Sequence, residues 1–329
     1  RQGGSPIRYI LQRINHHVFQ QPAVVMQNVK EATQHLRKKI ASESSADLTR
    51  RTMTLVPTRG GASYYMDSAG NYWRAYVFIE RVKSSHVAEK PEQAEQVGRA
   101  FGLFQKRLAA LPTERIQETI PQFHNGVLRI DALEKAVRED KQNRVEATQP
   151  EIEFCQTNRG IVQIFADAQA KGELPQRITH NDTKIDNVLL DQDTDEVMCI
   201  VDLDTVMPGL IHYDFGDMVR TLTSPADEDE RDLDKVTMRM DFFDALAKGY
   251  LSEANDFLSE AEKGYLAQAG KVITFQLGVR FLTDHLNGDT YFRVHREGQN
   301  LDRARVQFKL VERMLENEEA MKATIAALG

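Results

Sequence analysis

The sequence predicts an α+β protein of two unequal lobes: a small antiparallel sheet carrying one helix, then a larger, mainly helical lobe with one embedded β-hairpin. Three observations predict it. Residues 7–80 hold short β-branched and aromatic runs broken by Gly and Pro signals, and after about residue 81 the pattern changes to long amphipathic helices. One stretch, 174–210, then interrupts those helices with two apolar runs around an Asp-rich turn. The division expected is 1–80 for the first lobe and 81–329 for the second, and 329 residues are ample for the cores of both.

In chain order, the Gly3-Gly4-Ser5-Pro6 turn signal introduces a strand over 7–14, so a strand and turn are expected upstream of it. Residues 22–40 place Val25, Met26, Val29, Ala32 and Leu36 at helical spacing behind Pro22. Strands follow near 52–57 and 62–67, then a Gly70-Asn71 turn and a strand over 73–80. In the second lobe Val97, Ala100, Phe101, Phe104 and Leu108 define one helix face. Further helices are expected at about 131–140, 151–171, 233–251, 254–269, 272–286 and 301–315, with the hairpin strands at 188–190 and 197–201.

Composition narrows the function classes. The net charge of −7 removes the basic surface that a nucleic-acid or anionic-membrane partner would need. Cys155 and Cys199 are too far apart in sequence for a CxxC pair, which points to a reducing, cytoplasmic compartment. No apolar run nears the roughly 18 residues that cross a bilayer. The chain begins with Arg1, and a trimmed or incompletely recorded N-terminus is expected.

The chemistry is concentrated in His180-Asn181-Asp182-Thr183-Lys184-Ile185-Asp186-Asn187, an HxDxxxxN pattern followed fifteen residues later by Asp202 at the end of the hairpin. Phosphoryl transfer needs a carboxylate to orient and deprotonate the accepting hydroxyl, and oxygen ligands to hold magnesium on a triphosphate. Asp182 suits the first task, Asn187 and Asp202 the second, and the hairpin returns the chain to bring them together. Three acids and an amide around an apolar hairpin are costly unless they bind something.

HNDTKIDN resembles the catalytic loop of the kinase-like superfamily that includes aminoglycoside phosphotransferases, choline kinases and protein kinases. YILQRIN, IPQFHN, VDLDTVMPG, YDFGDMVR, GVRFLTDHLNGDTYF and NLDRARVQFKLV are similar to segments of the N-acetylhexosamine 1-kinases, spread from residue 9 to 311. The resemblance implies a two-lobed protein-kinase-like fold and phosphorylation of the C1 hydroxyl of N-acetylglucosamine or N-acetylgalactosamine, with ATP and Mg2+ as cofactors. It makes 1–80 the nucleotide-binding lobe and the rest the lobe of catalytic loop and sugar site, and gives Lys184 a catalytic place beside the transferring phosphate. His180 is expected to brace the loop, as are Asp214 and Asp217. Asp204 is open between a second metal contact and a turn cap.

The same resemblance calls for a strand lysine paired with a helix glutamate, but the strand reads Ile10-Leu11-Gln12-Arg13. Arg13 is the expected substitute, Gln12 the inward-facing rival, and Glu31 either the helix partner or a solvated charge. Adenine is expected on the backbone of Phe78, Ile79 and Glu80. His124, Arg280, Asp284 and Tyr291 are expected around the sugar, with Arg280 and Asp284 either a ligand clamp or an i,i+4 pair. The acidic composition keeps a cationic acceptor, an aminoglycoside or choline-like alcohol, as the alternative, and the altered strand keeps an inactive nucleotide-binding protein as a third. Asp191, Asp193 and Asp195 imitate a calcium loop but lack its glycine, so they read as a turn. Residues 264–271 imitate a phosphate loop but lack its Ser or Thr, and read as a helix break. Oligomeric state is left open.

Overall fold

The computed structural model describes residues 6–43, 47–85 and 87–329, so Gly3, Gly4 and Ser5 of the expected first turn lie outside the described residues. The first sheet is built from β1 (Tyr9–Ile14), β2 (Leu55–Val56), β3 (Tyr65–Met66) and β4 (Tyr72–Val77), with helices α1 (Pro22–Glu43) and α2 (Leu48–Arg51) between β1 and β2. β4 is central and antiparallel to the other three, with Gln12 opposite Arg74 and Arg13 opposite Trp73. Gly70 turns the chain into β4 at φ +80°, in the left-handed region that favours glycine. β1 forms an edge and leaves Tyr9, Ile10 and Leu11 exposed.

After β5 (Val82–Lys83) come α3 (Pro91–Leu108), α4 (Gly126–Glu139), α5 (Gln149–Thr157) and α6 (Gln163–Ala170). Residues 151–171, expected as one helix, are split: the Asn158 side chain donates to Phe154 O at 3.0 Å, capping α5, and a 3-10 turn leads through Gly160 into α6. Next are β6 (Arg177–Thr179), the hairpin β7 (Val188–Asp191) and β8 (Val197–Ile200), and β9 (Met207–Gly209). α7 (Ile211–Thr223), α8 (Met240–Ala254), α9 (Glu260–Leu286), α10 (Gln299–Glu316) and α11 (Glu318–Leu328) complete the chain. The break expected at 264–271 is absent, because α9 runs unbroken for 27 residues. Leu266, Val272, Phe275, Val279 and Leu282 are fully buried along it, and packing on that scale overrides the propensity of Gly264 and Gly270.

The architecture is the α+β, two-lobed one, with the helical lobe filling most of the volume. The core beneath the small sheet is shared: Val25, Val29 and Leu36 of α1 pack with Phe104 and Leu108 of α3 and with Cys199, Leu203 and Val206 beyond the hairpin. Asn28, fully buried in α1, donates to Gln117 O at 2.7 Å and to Val206 O at 3.0 Å. The small-lobe helix is therefore joined by polar and apolar contacts to the segment that carries Asp202.

Candidate active site

The 180–187 loop leaves β6 where β9 crosses it, and the crossing is close. A Cβ on Gly209 would lie 2.5 Å from Thr179 Oγ1 and 2.9 Å from Asn181 Oδ1. Asp214, buried in the first turn of α7, accepts from His180 N at 2.9 Å, Asn181 N at 2.7 Å and Gln105 Nε2 at 2.7 Å. Asp217, one turn on, accepts from Thr183 N at 2.9 Å and pairs with Arg220 at 2.8 Å. His180 is buried, packs edge-on against Phe101 and Phe104, and its Nε2 lies 3.0 Å from Val201 O. A loop whose amides are satisfied by two buried carboxylates has little freedom to rearrange.

On this frame Asp182 remains partly open to solvent. Its Oδ2 accepts from Asn187 Nδ2 at 3.0 Å and lies 3.2 Å from Lys184 Nζ. Burial pulls the Lys184 ammonium down, but Asp182, Asp202 and Asp217 outweigh it and leave the group above its ordinary value. Asp202 stands at φ +59°, a left-handed conformation uncommon outside glycine, and Val201 N donates to Asn187 O at 2.9 Å immediately before it. Burial raises the Asp202 carboxyl, and the neighbouring Asp204 and Asp182 raise it further. Asp182, Lys184, Asn187 and Asp202 therefore form one cluster, in which Lys184 and both acids act on one another.

The small-lobe expectations need correction. Arg13 sits opposite Trp73, on the face of β1 away from Gln12, so it does not supply a strand cation to this cluster. The buried cation of this sheet is Arg74, 2% exposed, which donates to Gln12 Oε1 at 2.9 Å and to Asp204 Oδ2 at 2.9 Å. Sequence reading missed it. The available signal was a charged residue on the same alternating face of β4 as the buried Tyr76. Asp204 thus binds Arg74, and Glu31 instead pairs with Arg115 and accepts from Gln27 at 3.0 Å. Beyond β4, Phe78 N donates to Arg8 O at 2.9 Å, and Glu80 O accepts from Arg50 at 3.3 Å.

The sugar-side residues separate into two groups. Arg280 lies 5.2–5.6 Å from the Phe123, Tyr291 and Phe292 rings and donates to Tyr291 Oη at 3.4 Å, with no carboxylate partner among the described residues. Burial lowers its guanidinium, Tyr291 opposes this, and the nearby Arg129 and Arg220 add to the lowering. Arg129 and Arg280 line one cavity of about 200 Å³ with Asp284, Tyr291 and Phe292. His124 stacks on Tyr213 at 4.3 Å, and burial, with Arg280 adding, pushes it down to about 3, so it is neutral at ordinary pH. Asp284 departs from expectation. Its carboxylate accepts from Thr290 N, Tyr291 N and Phe292 N at 2.8–3.0 Å and from Asn300 Nδ2 at 2.9 Å, so it holds the 290–292 loop at the cavity's edge rather than pairing with Arg280.

Residues 1–256 match the phosphotransferase enzyme family. Among solved structures the fold is similar to an aminoglycoside phosphotransferase from Alicyclobacillus acidocaldarius, at 13% identity and TM-score 0.59 over 98% of this chain and 86% of that one. It is also similar to a choline/ethanolamine kinase family protein from Mesorhizobium loti, at 15% identity and TM-score 0.55 over 99% and 94% of the two chains. Amicoumacin kinase, in a complex with AMP-PNP and Ca2+, matches at 12% identity and TM-score 0.59 over 92% and 81%.

Proposed function

The chain belongs to the phosphotransferase enzyme family and is a small-molecule kinase, and from that premise we propose that it phosphorylates the anomeric C1 hydroxyl of an N-acetylhexosamine. In this reading the sugar oxygen attacks the γ-phosphorus of ATP, the bond to the β-phosphate oxygen breaks, and ADP and the sugar 1-phosphate leave. Asp182 orients the hydroxyl and takes its proton, and Lys184 beside it faces the transferring phosphoryl group. Asn187 gives its amide hydrogens to Asp182, which leaves its carbonyl oxygen, with the Asp202 carboxylate, as hard donors suited to Mg2+. No three His, Cys, Asp or Glu side chains form a metal cage among the described residues, so phosphate oxygens would complete the coordination. When bound, the ion would draw charge from the phosphates.

The observation that carries the acceptor half is the wall of Arg129, Arg280 and aromatic rings, without a carboxylate partner for Arg280 among the described residues. Such donors suit an amide carbonyl and hydroxyls and repel an ammonium. This favours a sugar over the alternative of an aminoglycoside or choline-like alcohol, despite the acidic composition. The test follows phosphate transfer by mass, with Mg2+ and ATP, across N-acetylhexosamines, hexoses, aminoglycosides and choline. Product confined to the hexosamines supports the proposal; product only with cationic acceptors overturns its acceptor half, and nucleotide binding without any product favours an inactive protein.

A further inference from the structure

Arg74 is almost fully buried, lies on the small lobe, and reaches an acid two residues beyond Asp202 on the large lobe. Its guanidinium is used on both edges. Nε donates to Gln12 Oε1 at 3.1 Å and Nη2 to the same oxygen at 2.9 Å, while Nη1 and Nη2 form a two-point contact with the Asp204 carboxylate. Planar bidentate pairing fixes direction as well as distance, which a lysine would not do. A buried ion pair is weak evidence for stability, because well-packed apolar residues often serve as well. Its position offers a different use.

Asp202 holds a left-handed backbone conformation that costs free energy and persists only where the flanks are fixed. On one side Val201 N is bound to Asn187 O. On the other, Thr205 Oγ1 donates to His180 O at 2.7 Å and Val206 O accepts from Asn28 of α1. Among the described residues of the sheet β1–β4, Arg74 is the one that bonds to a side chain in this turn, and that bond occupies both oxygens of Asp204.

We propose that Arg74 is a positioning residue: with Gln12 as its brace, it holds Asp204 and thereby sets the direction in which Asp202 presents its carboxylate to a metal-bound nucleotide. The proposal rests on the reading of Asp202 as a magnesium ligand, so the experiment includes Asp202→Asn. Mn2+ binding in the presence of ADP is followed by electron paramagnetic resonance, and ADP binding with and without Mg2+ by calorimetry, for the full chain and for Arg74→Met, Arg74→Lys and Asp204→Asn. Circular dichroism reports whether each variant folds.

Arg74→Met is expected to weaken metal–ADP binding tenfold or more, to leave metal-free ADP binding within about threefold, and to leave KM for the acceptor within about twofold. Arg74→Lys retains the charge but loses the fork and should fall between. Asp204→Asn should reproduce the loss, and the Arg74→Met/Asp204→Asn pair should be no worse than either alone. If Arg74→Met does not fold, Arg74→Lys and Asp204→Asn decide by the same readout. Folded variants with wild-type metal–ADP affinity overturn the proposal where Asp202→Asn has lost it. An Asp202→Asn variant with unchanged metal binding overturns the underlying metal reading instead.

Discussion

The loop around Asp182 and the wall around Arg280 solve opposite problems. In the loop, Asp214 and Asp217 satisfy the amides of His180, Asn181 and Thr183, and Asn187 and Lys184 flank the Asp182 carboxylate, while His180 Nδ1 is buried without a partner. In the wall, Arg129 and Arg280 crowd one another among aromatic rings, and Arg280 has no carboxylate partner among the described residues. A network of short bonds to buried carboxylates fixes geometry. A guanidinium lining a cavity without a carboxylate partner can carry selectivity, because a ligand lacking the matching acceptor leaves it unpaired.

That contrast can be broken first at its reactive end. Asp182→Asn should lower kcat by about 10²–10⁴-fold, the scale of general-base catalysis, with nucleotide affinity close to wild type in calorimetry. Near-normal turnover would end the assignment. Asp214→Ala comes next: it strands three donors, so chemical denaturation should show a loss of about 3 kcal/mol, with activity falling through the displaced loop. Arg280→Met acts on the other region, raising KM for the acceptor by about 30-fold, roughly 2 kcal/mol for lost bonds to a charged donor, without changing KM for ATP.

The smallest effect concerns a buried histidine in α7. His212 is buried, its Nε2 lies 2.8 Å from Glu262 O, and burial pushes its imidazole down from 6.5 to about 4. Because the folded value lies below the unfolded one, the unfolded chain binds the proton first. The stability contributed by neutral His212 is present in full above about pH 6.5 and declines as the pH falls toward 4, by about 1.4 kcal/mol at pH 5.5. Urea melts at pH 7.5 and 5.5 should show that difference shrinking in His212→Gln. An equal pH response in the variant would assign it to other groups, such as His124.

The chemistry of the large lobe was legible because it is local. HxDxxxxN, the hairpin and the terminal Asp occupy one short stretch of chain, and a strand–turn–strand of fixed length brings its ends together in any such fold. Asp214 and Asp217 were readable as braces for the same reason. Arg74 was not, since its role depends on which face of β4 meets the large lobe and on an acid 130 residues away. The expected Arg280–Asp284 pair failed by the same limit. The i,i+4 relation of Asp284 to Arg280 is a true sequence feature, but three backbone amides of the 290–292 loop claim the carboxylate first.

The sequence by itself determined the two-lobed class, most of the helical and strand segments, and the residue types able to carry phosphoryl transfer, because periodicity and short-range spacing are properties of the chain. Only the tertiary structure decided that α9 runs unbroken, that Arg13 faces away, and that Arg74 joins the lobes. Those outcomes depend on burial and on partners distant in sequence, and the free energy of a buried charge is set by what surrounds it rather than by its neighbours along the chain.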